Sequence, residues 1–176
     1  MRGKRKKLTR TALLLAVSFV LSWLESCVPL RLLFPIPGLK LGLANIAVTA
    51  ALFTVGKGAA LSHVLLRPLL SLLLFGNITG SILSLCGGLL AVAAVLRALP
   101  LYRKTLSLGG ISALSAVFHG LGQCIAACFL MKNGEILLYA PLLCAASSLT
   151  GLCTGWMMNA ALSPFMPKII PKQEEL

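Results

Sequence analysis

Residues 78–96 read ITGSILSLCGGLLAVAAVL. They contain no Asp, Glu, Lys, Arg or His, and Arg97 and Pro100 close them off. A bilayer core is crossed by about 20 predominantly apolar residues in α-helix, so this run alone predicts a transmembrane helix. Five further runs qualify on the same ground: 9–28 ending at Pro29, 39–55 ending at Gly56-Lys57-Gly58, 59–75, 106–131, and 136–162 ending at Pro164. Only Gly76-Asn77 separates the third run from the fourth, which calls for a tight turn or a re-entrant segment.

The whole chain agrees with its most apolar stretch. It has 176 residues, 58% hydrophobic and 11% charged, with a mean hydropathy of +0.95. A soluble domain carries about 25% charged residues, and this chain has too few for a polar shell. The expected architecture is all-α: a single transmembrane domain over 1–176 with about six helices in one bundle, a basic N-terminus over 1–8 and a short tail over 164–176. The N-terminus begins like a signal peptide, but no small-residue cleavage site follows and five more apolar runs do, so it reads as an uncleaved first helix.

The net charge of +12 does not indicate nucleic acid. The basic residues stand at the edges of apolar runs, and aromatic residues for base stacking are few. Their distribution sets a topology instead. With the N-terminus inside, the cytoplasmic side holds Arg2, Lys4, Arg5, Lys6, Lys7, Arg10, Lys57, Arg97, Arg103, Lys104, Lys168 and Lys172, against Arg31, Lys40 and Lys132 outside. Twelve against three predicts both termini in the cytoplasm and the cell membrane as location.

The chemistry available is narrow. Asp is absent, and the four acids are Glu25, Glu135, Glu174 and Glu175. The six cysteines, Cys27, Cys86, Cys124, Cys128, Cys144 and Cys153, fall mostly within apolar runs and form no C-x-x-C pair. They read as small hydrophobes. No metal site and no cofactor is expected, and there is no phosphate-binding G-x-x-x-x-G-K-[ST].

Polar groups inside the apolar runs carry the functional signal, because a charge at the bilayer centre costs at least about 2.5–3.5 kcal/mol. Glu25 lies near the outer end of the first helix, and Lys40 and Asn45 near the outer start of the second. Arg67 lies mid-way along the third with His63 one turn away, and His119 and Gln123 are one turn apart in the fifth. Glu25, Lys40, Asn45, Arg67, His119 and Gln123 are therefore candidate ligand-binding residues around an outward-facing polar cavity. His63, nearer the cytoplasmic side, has the weaker case. Small residues four apart, which let helices approach closely, occur as Ala12/Ala16 and Ser18/Ser22 in the first helix and Gly151/Gly155 in the sixth. Ordinary internal packing accounts for such pairs as readily as a partner helix. The loop Pro29–Gly38 holds three prolines and is apolar enough to lie on the membrane or cover a cavity.

The stretch Pro37-Gly-Leu-Lys-Leu-Gly-Leu-Ala-Asn45 resembles the P-G-x-K-L-G-L-A-N segment of a bacterial membrane family that carries two labels, heptaprenyl diphosphate synthase component I and Gx transporter. Glu25, Arg67 with Leu73-Leu-Phe-Gly76, and His119-Gly-Leu-Gly-Gln123 also match. Gly120 stands where the family has Asn. The family is similar in turn to the S components of energy-coupling factor transporters, six-helix proteins that bind a small molecule from outside. That resemblance implies a substrate-binding transport subunit that is not itself an enzyme. Lys40 and Arg67 would meet an anionic or acceptor-rich ligand, a phosphate, a carboxylate or an isoprenoid- or quinone-related molecule. Ala12 and Ala16 would dock on a transmembrane coupling subunit driven by ATPases, and Pro29–Gly38 would form a lid. The first label implies instead a noncatalytic membrane subunit of a prenyl diphosphate synthase, since prenyl elongation needs clustered aspartates for Mg²⁺ and diphosphate.

Overall fold

The computed structural model describes residues 2–26, 45–102 and 104–162. They form six α-helices: α1 Arg2–Ser26, α2 Asn45–Thr54, α3 Lys57–Phe75, α4 Ile78–Ala98, α5 Leu108–Met131 and α6 Ala140–Leu162. Five segments are long and apolar enough to cross a bilayer, and α2 is a shorter apolar helix. Helices suit a bilayer because they satisfy their backbone polar groups without water.

The described connections, from α2 onward, are short and chemically specified. Gly56, at φ 123°, links α2 to α3. Between α3 and α4 the chain makes a tight turn at Gly76-Asn77, one of the two forms expected there, and not a re-entrant segment. Gly76 takes a left-handed conformation (φ 64°) and donates its N–H to the Leu72 carbonyl. Asn77 then caps α4, its Oδ1 accepting the Gly80 N–H at 2.9 Å. Ser107 caps α5 in the same way through the Gly110 N–H at 3.1 Å. Lys132 ends α5 at φ 50°, and a 3-10 turn over Gly134–Tyr139 leads into α6. Short links make consecutive helices antiparallel. Phe19 stacks on Phe75 with ring centroids 5.5 Å apart, which sets α1 alongside α3. Lys57, Arg97 and Lys104 thus share one end of the bundle with the start of α1, and Lys132 lies at the other.

Glycine sets the tightest contacts. A Cβ on Gly87 of α4 would lie 2.6 Å from the His119 carbonyl of α5, and one on Gly122 of α5 would lie 2.8 Å from Gly87 Cα. On α6, a Cβ at Gly151 or Gly155 would lie 2.6 Å from Ala113 Cα or Gly109 Cα of α5. The Gly151/Gly155 pair is therefore internal packing between α5 and α6. The first helix divides its two pairs: Ser18 and Ser22 are buried, whereas Ala12 and Ala16 are exposed beside Leu8, Leu13 and Val20.

Two apolar clusters bracket the middle of the bundle. One, toward the Lys57 end, gathers Leu52, Phe53, Val64, Val95 and Ile111. The other, toward the Lys132 end, gathers Leu83, Cys124, Ala127 and Leu143. The described cysteines are all free. Gly122→Ala or Gly151→Ala should lower stability in detergent by about 1–3 kcal/mol, the usual effect of overpacking. Gly134→Ala, with open space around it, should change it far less. Thermal unfolding of the purified variants measures both.

Candidate functional site

Residues i and i+4 share a helix face, and this places His63 and Arg67 together on the buried side of α3. His63 is 0% and Arg67 4% exposed. At 1.5 Å per residue they lie about 18 and 12 Å below the Phe75 end of α3, in the middle of the bundle. The Arg67 guanidinium Nη2 donates to Ser84 Oγ of α4 at 3.1 Å. Pro68 follows within α3 and is buried too. It has no N–H to give the helix ladder, an interruption tolerated in membrane helices where neighbours supply other partners.

Asn45 opens the described part of α2 and is 3% exposed. Its Nδ2 donates to Ser115 Oγ of α5, so α2 is pinned across the bundle by a side-chain hydrogen bond. One turn along α5, the Gln123 amide nitrogen meets His119 Nε2 at 2.8 Å. An amide NH₂ only donates, so His119 Nε2 is the acceptor. Both residues are buried, and Gly87 of α4 lies against them.

A small cavity separates α2, α3 and α4. Asn45, His63, Arg67 and Ser84 form its polar lining, and Val48, Val64, Pro68 and Gly88 its apolar walls. Of the residues expected to converge, Asn45 and Arg67 share this cavity. His119 and Gln123 sit one layer away, across Gly87 and Ser115. The Glu25 side chain, Lys40 and the Pro29–Gly38 loop lie outside the described residues.

Three participants had no weight, or little, in the sequence. His63 belongs to the cavity wall, and its i, i+4 relation to Arg67 was the signal for it. Ser84 and Ser115 supply the hydroxyl partners. Serines in Ala-rich and Leu-rich helices give no signal of their own until the packing is known. Position 120 also resolves: Gly120 faces α6, where a Cβ would lie 3.1 Å from Ser147 Oγ and 3.3 Å from Leu143. A glycine there removes no group from the cavity.

The described residues contain no cluster of three or more His, Cys, Asp or Glu able to hold a metal. What the middle of the bundle offers is hydrogen bonding around a guanidinium inside apolar walls. His119→Leu and Gln123→Leu should be less than additive in stability, with a coupling of about 0.6 kcal/mol, typical of side-chain hydrogen bonds in membrane helices. A double-mutant cycle on unfolding in detergent measures it.

No curated protein and no solved structure matches the chain. The family model described as heptaprenyl diphosphate synthase component I matches residues 14–161. That match runs from the first half of α1 almost to the end of α6, through every helix that builds the polar middle of the bundle, and the chain belongs to the heptaprenyl diphosphate synthase component I family.

Proposed function

We propose that this chain is the membrane-embedded, noncatalytic subunit of a heptaprenyl diphosphate synthase, and that a separate chain carries out prenyl transfer. The family match across the helical bundle is the observation that supports this reading. The charge inventory agrees with the division of labour. Mg²⁺ is held chiefly through carboxylates and substrate phosphates. A chain with no Asp and four scattered Glu has no carboxylate cluster for that purpose except the tail pair Glu174-Glu175. Its contribution is a bilayer anchor for the synthase at the place where an apolar isoprenoid product collects. On the charge bias, both termini face the cytoplasm in the cell membrane, and the catalytic partner docks on the basic end formed by Lys57, Arg97 and Lys104.

A second reading, a substrate-binding subunit of a small-molecule transporter, draws support from two features. Ala12 and Ala16 are exposed on α1, where a partner helix would approach closely. The buried polar groups Asn45, Arg67, His119 and Gln123 lie near one another in the middle of the bundle. In this reading they bind the ligand together with Glu25 and Lys40, and the energy comes from a coupling subunit with its ATPases.

One experiment separates the two. The tagged protein is purified from native membranes in mild detergent, and its partners are identified by mass spectrometry. Recovery of an aspartate-rich prenyl transferase subunit, with prenyl diphosphate synthesis by the complex, is the expected outcome. Recovery of a membrane coupling subunit with ATPases instead overturns it in favour of transport. The pair Ala12→Trp/Ala16→Trp should sharply reduce recovery of a transmembrane partner. It should leave a soluble partner bound at the basic end unaffected.

A further inference from the structure

The cavity between α2, α3 and α4 contains polar atoms that the packing leaves unused. Asn45 Oδ1 and His63 Nε2 are both fully buried and have no hydrogen-bond partner. Leaving such an atom unsatisfied costs about 1–3 kcal/mol, and both line the same small space.

The hydrogen bonds already made fix what these two atoms are. Asn45 spends its NH₂ on Ser115, so the atom left over is its carbonyl oxygen, an acceptor. His63 Nδ1 lies 3.0 Å from the Ala59 carbonyl. A carbonyl only accepts, so Nδ1 carries the proton, and in the neutral ring Nε2 is a bare lone pair. The cavity therefore shows two acceptors, one from α2 and one from α3, together with the Arg67 guanidinium, a donor, and the Ser84 hydroxyl that Arg67 already bonds.

An occupant must give two hydrogens and take at least one. An anion would meet two lone pairs, and a cation would meet Arg67. An alcohol has one O–H and would leave one acceptor unfilled. The space open to the centre of a water-sized sphere is about 10 Å³, close to the minimum that holds one water.

We propose that this cavity is a binding site for a single water molecule, which donates to Asn45 Oδ1 and His63 Nε2, accepts from Arg67, and ties α2 to α3. The site holds under either reading of the protein's function, because it depends only on groups within this bundle. It makes His63 a positioning residue: the ring relays the backbone of α3, through Ala59, to the water and on to α2. It also puts water beside the guanidinium at mid-bundle, where hydration does most to lower the cost of a charge.

The test uses the full chain labelled with ¹⁵N-histidine in lipid nanodiscs. His63 is assigned by loss of its signals in His63→Gln, or by elimination with His119→Gln if the first variant does not fold. The expected result is a proton on Nδ1, none on Nε2, a Nε2 resonance shielded relative to a bare ring nitrogen, and a cross-peak from Nε2 to a slowly exchanging water. Asn45→Leu, which removes one acceptor, should abolish that cross-peak. A Nε2 that carries its own proton, or a ring with no water contact, overturns the proposal. Native mass spectrometry of the same sample provides the other arm: the bare chain mass is expected, and a retained organic adduct that displaces the water signal shows that a ligand group and not water fills the site.

Discussion

A guanidinium held in the middle of an apolar bundle is the constraint around which this protein is arranged. Arg67 sits eight residues from the end of a nineteen-residue helix, at a depth where no snorkelling path to the headgroups is short. A charge there costs several kcal/mol unless it is turned away from lipid and given partners. The structure meets both conditions. Arg67 faces inward, bonds Ser84, and borders a cavity shared with Asn45 and His63. Asn45 and Ser84 come from other helices, so they meet Arg67 only if α2, α3 and α4 close tightly. Gly87 and Gly122 let α4 and α5 approach to backbone contact, and that closeness brings Ser115, His119 and Gln123 level with the cavity.

The helices themselves were legible because apolar run length is a one-dimensional signal, and lipid enforces it. The turn at Gly76-Asn77 was legible for a similar reason: a left-handed glycine followed by a capping asparagine has few other uses. Same-face pairs such as His63/Arg67 and His119/Gln123 follow from helical period alone. What could not be read was rotation about each helix axis. Ser84 and Ser115 look like any other serine in an apolar run until the neighbouring helix is placed. Likewise, Ala12/Ala16 and Ser18/Ser22 have the same spacing, and only packing shows that the first pair is exposed and the second buried.

The family assignment and the internal chemistry describe different faces of the molecule. The basic end gathers Lys57, Arg97 and Lys104 where the bundle meets water, a surface suited to an acidic soluble partner. The polar middle lies between the helices, where the bridging water proposed above ties α2 to α3. The exposed stripe of α1 is neither. It lies in the apolar zone, with Ala12 and Ala16 forming a small-residue notch among exposed Leu8, Leu13 and Val20. An anchoring subunit has use for the first surface and the second, and a partner within the membrane would use the third.

The two-residue turn between α3 and α4 makes those helices a self-contained pair. Arg67 and Ser84 are seventeen positions apart, on opposite arms of a hairpin whose bend leaves no slack. A bend that short keeps the inner faces of the two arms within reach of each other. Arg67 and Ser84 need no third helix to meet, so the hairpin by itself gives a partner to the charge that a lone α3 would expose.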